Sequence, residues 1–422
     1  MKVFAIIIFI IMYLIMISFQ KLRVYAALVS AILFMIVGVI RPAEAFASVN
    51  WNILMMIAGT MVVVHYFIGS RMPNRLADLL LGKSKNLMWV IIYMSLFSGL
   101  ISAFIDNVAT VLMVAPVGLA ICRKLDVSPV PMILSIAVSS NLQGAATLVG
   151  DTTSMMLAAY AKMDFMSFFW FHGRPGIFFA VEIGAVITVP VMMILFSKMR
   201  QPVEAGEPAE VKDKLPSVLL ILVVVTLIAA SFIPTKPEMT NGFICMAYAV
   251  AAVILDLVRY GDSDRVLDAV KSIDYETLLL LTGLFIVIAG ITEVGLIEDI
   301  AGWIVRVGGS NLFLLYTIIV WGSVLVSAFV DNIPYVATML PVLQSVTMAM
   351  GIEPYLLYFG LLTGATLGGN LTPIGASANI TAVGMLRRNG HPIAFVDFMK
   401  IGVPFTLTAV TCGYLYTWFV WR

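Results

Sequence analysis

Charge is what this 422-residue chain has least of: Asp, Glu, Lys and Arg make up 12% of it, against 61% hydrophobic residues. Soluble domains carry about a quarter charged residues. A water-surrounded globular fold is therefore excluded, and the expected class is an all-α polytopic membrane protein. The few charges nearly cancel, at +1 net, and no basic stripe occurs, which argues against a nucleic-acid partner. Cysteine and histidine are scarce as well. Cys122, Cys245 and Cys412 lie far apart, within or beside apolar runs, and read as packed thiols with neither disulfide nor metal spacing. His65, His172 and His391 stand singly. No zinc-protease helix, nucleophile elbow or phosphate-binding loop is present, so an enzyme is not expected.

What the chain does have is apolar length. A spanning helix needs about 20 such residues, and runs of roughly that length lie at 3–19, 24–40, 52–69, 177–197, 217–233, 240–258, 275–292 and 399–421. The first is read as a retained span, because an apolar run follows it at once. Two longer regions, 87–122 and 311–350, are interrupted at their centres by Asp106-Asn107 and Asp331-Asn332. Each is read as a re-entrant hairpin with the acidic pair at its tip. Regions 130–163 and 355–387 are broken midway by Gly-, Thr- and Ser-rich sequence and read as broken helices.

These interruptions repeat. Ser102-Ala103-Phe104-Ile105-Asp106-Asn107-Val108 returns 225 positions later as Ser327-Ala328-Phe329-Val330-Asp331-Asn332-Ile333. The same offset carries Pro116 to Pro341, Gly144 to Gly369, Thr147 to Thr372 and Gly150 to Gly375, and nearly the same carries Gly59 to Gly283. The chain thus divides into a first repeat at 1–200, a polar linker at 201–215 and a second repeat at 216–422. With three spans, one hairpin, one broken helix and a final span, each half crosses the membrane five times. Five is odd, so the halves lie upside down to each other, as in inverted-repeat transporters, with about ten transmembrane helices in all.

Charge placement orients the chain. One face collects 18 of the 25 Lys and Arg, including Lys21, Arg23, Lys83 and those of the linker; the N-terminal face collects seven. By the positive-inside tendency both termini face outward from a plasma (inner) membrane and the linker faces the cytoplasm. The first hairpin then opens from the cytoplasm and the second from outside.

Broken helices survive in hydrocarbon only when buried or lining a polar cavity. The tips and breaks therefore mark the expected site: Asp106, Asn107, Thr147, Gly150, Asp151, Thr152, Asp331, Asn332, Asn370, Thr372, Gly375, Ser377 and Asn379. Asp106 and Asp331 either cap the helix that follows each tip or carry a coupling cation, and the two roles are compatible. Asp106, Asn107, Gly150, Asp331, Asn332 and Gly375 are candidate Na⁺ ligands; no other cofactor is expected. Asp151 has Ala376 as its repeat mate, so the halves are expected to do unequal work. Glu182, inside the span at 177–197, reads either as a proton carrier or as an acid that snorkels or pairs with Arg174.

At these residues the sequence resembles the ion transporter superfamily, over essentially the whole chain. The nearest branch is that of ArsB arsenite permeases, NhaD-type sodium/proton antiporters and the pink-eyed dilution protein. The resemblance is carried by Asp106-Asn107-Val108 with Pro116, Asp331-Asn332-Ile333-Pro334 with Pro341, and Gly368-Gly369-Asn370 through Asn379. More distantly it extends to sodium/dicarboxylate symporters, whose tips carry Thr where Val108 and Ile333 stand here. The resemblance implies a homodimer in which a moving unit slides as an elevator past a scaffold of spans 1–3 and 7–9. Its implied function is ion-coupled (Na⁺ or H⁺) transport of a small anion or its neutral acid, an arsenite-like oxyacid or a carboxylate. A Na⁺/H⁺ antiporter without organic substrate is the alternative, and an ion channel a further one.

Overall fold

In a bilayer, backbone N–H and C=O groups must be satisfied within the segment, so apolar runs become helices. The computed structural model, which describes residues 1–82, 84–203, 209–309 and 311–422, has this character. Before the linker come α1 (Lys2–Ser18), α2 (Arg23–Val37), α3 (Pro42–Ser48), α4 (Trp51–Gly69), α5 (Met72–Leu81), α6 (Leu87–Ser102), α7 (Asn107–Lys124), α8 (Val130–Gly144), α9 (Thr152–Ala161) and α10 (Ile177–Leu195). After it come α11 (Leu215–Ser231), α12 (Thr240–Tyr260), α13 (Ser263–Lys271), α14 (Tyr275–Glu293), α15 (Leu296–Gly308), α16 (Leu312–Ser327), α17 (Asn332–Met350), α18 (Tyr355–Gly368), α19 (Ser377–Arg388) and α20 (Phe395–Trp421). Ten α-helices therefore answer ten, among the described residues. The chain is a multi-pass membrane protein: seven described helices (α4, α7, α10, α12, α14, α17 and α20) are long and apolar enough to cross a membrane. The shorter α1, α2, α6 and α11 are apolar too.

Helices α3, α5, α13 and α15 have no counterpart in the apolar-run reading, because they are short and mix charge with hydrophobicity. In two of them the charges suit the helix dipole. Helix α15 has Glu298 and Asp299 in its first turn and Arg306 in its last, and α13 has Asp264 and Lys271 in the same places. The small antiparallel pairing of Trp170–Phe171 with Arg174–Pro175 is also additional to the sequence reading.

The correspondence between halves extends to caps and packing. Asn86 accepts the Trp89 N–H at the start of α6, and Asn311 accepts the Leu314 N–H at the start of α16. Helix α2 packs on α14, and α4 on α12. A Cβ at Gly59 would lie 2.5 Å from the Cys245 carbonyl carbon, and one at Gly283 would lie 2.8 Å from that of Ala27. Glycine at both crossings lets backbones touch, as packing in membranes favours. In the other group, α6 packs on α8 and α16 on α18. From Met132 to Gly144 and from Leu356 to Gly368 every residue of α8 and α18 is buried, so these two helices form the centre of that group.

The linker's described ends tie several segments together. The Lys212 N–H donates to Ser70 O, the Ala209 N–H to Asp78, and Arg259 pairs with Asp213 at 2.9 Å. Elsewhere Lys2 pairs with Asp299, Lys236 with Asp164, and Arg174 donates to Val420 O. Charge counting assigns the Lys and Arg of each set to one common side. Lys83 and linker residues 204–208 lie outside the described residues.

Candidate functional site

Each acidic tip is built by the same local chemistry. At the first tip Asp106 Oδ1 accepts the Val108 and Ala109 N–H groups at 2.9 and 3.1 Å, capping α7. At the second, Asp331 Oδ1 accepts the Ile333 N–H at 3.0 Å, capping α17. Behind each tip a threonine of the adjoining helix break holds the preceding carbonyl: Thr147 donates to Ala103 O, and Thr372 to Ala328 O. A glycine lies beneath. A Cβ at Gly150 would fall 2.5 Å from Gly144 O and 2.6 Å from Ser102 O; one at Gly375 would fall 2.5 Å from Gly369 O and 2.6 Å from Ser327 O. The repeated Gly and Thr therefore weld each tip to its break. They do so from behind, since Thr147, Gly150, Thr372 and Gly375 are not among the residues lining the cavity below.

In front of the tips lies a cavity of about 280 Å³, near the lower end of the range of about 300–1,000 Å³ typical of small-ligand sites. Its lining includes the first residues of four helices: Asn107 of α7, Thr152 of α9, Asn332 of α17 and Ser377 of α19. Helix starts carry partial positive charge, which favours a negative ligand group, although at α7 and α17 first-turn N–H groups are already taken by Asp106 and Asp331. Asp106 and Asp151 also face the cavity, and Asp151 accepts the Thr153 hydroxyl at 2.9 Å.

Six of the sequence-derived site residues thus meet at one cavity: Asp106, Asn107, Asp151, Thr152, Asn332 and Ser377. Asp331 lies just behind, where it accepts the Ser377 hydroxyl at 3.1 Å. Asn370 and Asn379 stand deeper, as structural cross-links. Asn141 Nδ2 donates to Thr366 O at 2.7 Å and to Asn370 Oδ1 at 3.1 Å, while Asn370 Nδ2 donates to Val138 O at 2.8 Å. Asn379 Nδ2 closes the second break onto Gly369 O and Thr372 O, both at 3.2 Å.

The two tip asparagines differ. Asn107 Oδ1 accepts the Ser102 hydroxyl at 2.8 Å and its Nδ2 donates to Asn141 at 3.3 Å. Ser140 adds a bond to the Asn107 carbonyl at 3.1 Å. In the second half Ala365 and Thr366 replace Ser140 and Asn141. Asn332, 5% exposed, has no side-chain hydrogen bond among the described residues and lines the cavity. Its amide is free for a ligand.

Several lining residues escape the sequence reading: Lys21 between α1 and α2, Arg23 at the start of α2, Asn141 on α8, and Asp274 and Glu276 at the start of α14. The basic pair registers there only as topology-setting charge. Asn141 had a signal, an amide inside the apolar stretch that opens the first broken helix. Arg23 reaches Asp331 Oδ2 at 2.8 Å, although 308 positions separate them. The Glu182–Arg174 pairing is not formed. Arg174 donates to Val420 O at 2.9 Å, and Glu182 Oε1 is buried without a partner among the described residues. Two of the isolated histidines pack on aromatics, His65 edge-on to Tyr66 and His172 stacked on Tyr355.

The family model described as CitMHS, citrate transporter, matches residues 7–364. The chain belongs to the citrate transporter family. It is 32% identical over 347 residues to an uncharacterized transporter of Mycobacterium tuberculosis, an alignment covering 78% of this chain and 76% of that protein. It is 25% identical over 416 residues to the P protein of Mus musculus, covering 79% of this chain and 49% of that one. In fold it is similar to the crystal structure of the Alcanivorax borkumensis YdaH transporter, with a TM-score of 0.61 at 13% identity over 92% of this chain and 87% of that chain.

Proposed function

We propose that this member of the citrate transporter family is a secondary carrier that couples a small carboxylate or similar anion, or its neutral acid, to Na⁺ or H⁺. The observation that carries this reading is the convergence of four helix starts on one cavity, with the unpartnered Asn332 amide among them. Helix N-termini and a free amide bind oxyanions with or without a proton. Lys21 and Arg23 add positive charge at the same cavity. Four carboxylates also line it (Asp106, Asp151, Asp274 and Glu276), so they outnumber the two basic residues. A free polyanion entering alone meets that negative balance, whereas one accompanied by cations or protons does not. This charge count supports coupling.

The motion we propose is an elevator. Helices α6–α10 and α16–α20 carry the tips and breaks and move as one; α1, α2, α4, α11, α12 and α14 form the scaffold, paired in a homodimer in the plasma membrane. With both termini outside, the cavity opens at Lys21 and Glu276 toward the cytoplasm, an inward-facing state. A second reading, Na⁺/H⁺ exchange without an organic substrate, is favoured by one observation: Asp106 and Asp151 reach the cavity without a basic partner among the described residues.

Purified protein in liposomes separates these. Saturable uptake of radiolabelled citrate, malate, phosphate or arsenite, with counterflow and dependence on a Na⁺ or pH gradient, is the expected result. Na⁺/H⁺ exchange with every anion inert would select the second reading, and conductance at channel rates would reject a carrier altogether.

A further inference from the structure

The two tips match in cap, threonine lock and glycine floor, yet they differ in charge. Among the described residues, no cationic side chain reaches Asp106. Asp331 Oδ2, in contrast, accepts from Arg23 at 2.8 Å as well as from Ser377. Arg23 comes from the other helix group. It begins α2, which packs on α14, whereas Asp331 caps α17. Arg23 also lines the main cavity, so one guanidinium faces both the cavity and the tip carboxylate. Both side chains are largely buried, at 19% and 14% exposure. The other charged or titratable groups around them are Lys21, Asp274, Glu276, Asp106 and Asp151 at the cavity, and Tyr13 of α1, which donates to Pro334 O at 2.7 Å.

We propose that Arg23 is an internal counter-cation that takes the place of a transported cation at Asp331 and expels it at the end of the inward stroke. The inference rests on the elevator reading given above. Arginine stays charged at any physiological pH, so Arg23 cannot be neutralised; it can only exchange partners. A buried carboxylate left without its partner is costly. When the moving unit carries Asp331 away from the scaffold, Asp331 must therefore take a proton or Na⁺. When it returns, Arg23 reclaims the carboxylate and the cation leaves. Asp106 meets no such residue, so the symmetric tips carry one displaceable site and one that is not displaced.

The test is thermal unfolding of the purified protein in NaCl against choline chloride, at neutral and acidic pH. R23Q is expected to be less stable than wild type in choline at neutral pH, and to regain several degrees in Na⁺ or in acid. Wild type and R23K should change little, and R23Q/D331N should lose the cation response. An R23Q protein no more cation-sensitive than wild type, or one whose response survives D331N, overturns the proposal. Second, Asn332→Cys is placed in a protein whose three cysteines are replaced, and labelled in oriented vesicles by an impermeant thiol reagent from each side. R23Q should shift labelling toward the extracytoplasmic side. Labelling from both sides in an unchanged ratio refutes the role of Arg23 alone. Labelling from one side only, in both backgrounds, refutes the elevator and takes this inference with it.

Discussion

Asn141 Nδ2 lies 3.1 Å from Asn370 Oδ1, a buried amide-to-amide bond that joins the first broken helix to the second. The two residues sit on opposite halves of the chain and both are buried, Asn141 on α8 and Asn370 in the break that follows α18. Removing either amide leaves partners unsatisfied in an apolar interior, at a cost of about 1–3 kcal/mol per group. Asn141→Ala and Asn370→Ala should therefore each lower the unfolding midpoint clearly. Asn332→Ala, which breaks no hydrogen bond, should leave the midpoint unchanged and remove anion uptake. Equal thermal stability of all three variants would contradict this division between structural and ligand-binding asparagines.

Gly150 and Gly375 should tolerate no side chain. A Cβ at either would sit 2.5 Å from a backbone carbonyl oxygen, and backbone cannot move aside as a side-chain end can. Gly150→Ala and Gly375→Ala are expected to abolish monodisperse expression. Gly302→Ala, where nothing lies within 4 Å, should be neutral or slightly stabilising in its helix. Fluorescence-detected gel filtration of the three variants decides the point.

Asp106→Asn should fold normally and lose coupled transport. An asparagine oxygen can still accept the Val108 and Ala109 N–H groups, and Asn is as good a cap as Asp. Only the charge is removed. Asp106→Ala loses the cap as well, at about 0.5–2 kcal/mol. Wild-type flux in a well-folded Asp106→Asn protein would reduce this residue to a cap.

The linker clamp should respond to acid but not across the neutral range. Burial pushes the Asp213 carboxyl up, but the Leu215 N–H and the Arg259 guanidinium outweigh it and hold it below its usual range. A carboxylate depressed by folding stabilises above the unfolded value of about 3.9, and the gain disappears as pH falls through the lower folded value. Tryptic cleavage after Lys212 should thus be constant between about pH 5 and 8 apart from the protease's own profile. It should be faster in Asp213→Asn at neutral pH. Arg259 is half-exposed, so the difference should shrink in high salt.

Topology is checked by Val203→Cys, at the described edge of the linker. Labelling only from the cytoplasmic side is expected. Labelling from outside would invert the orientation and place the cavity mouth on the other face.

Much of this architecture was legible because a bilayer penalises unpaired backbone and isolated charge so heavily. Asp106, Asp331 and the two glycine-rich breaks had to be special wherever they lay, and the 225-residue offset tied them together. Helix breaks follow those positions, with α7 and α17 starting one residue after each aspartate. Short helices such as α5 and α15 were hidden, since a mixed polar face at half a membrane's length gives no hydropathy signal. The division of the candidate residues was hidden too. Thr147 and Thr152 look alike in sequence, yet one hydroxyl locks a carbonyl and the other residue faces the cavity.

The sequence by itself determined the membrane class and the repeated Asp-Asn pairs with their glycine-rich helix breaks. Those follow from hydropathy and from an internal repeat, both properties of the linear chain. Only the tertiary structure decided that Arg23 meets Asp331, that Asn107 is bound while Asn332 is free, and that four helix starts share one cavity. Such contacts join residues hundreds of positions apart through the packing of whole helices, and no local pattern records which side chains that packing brings together.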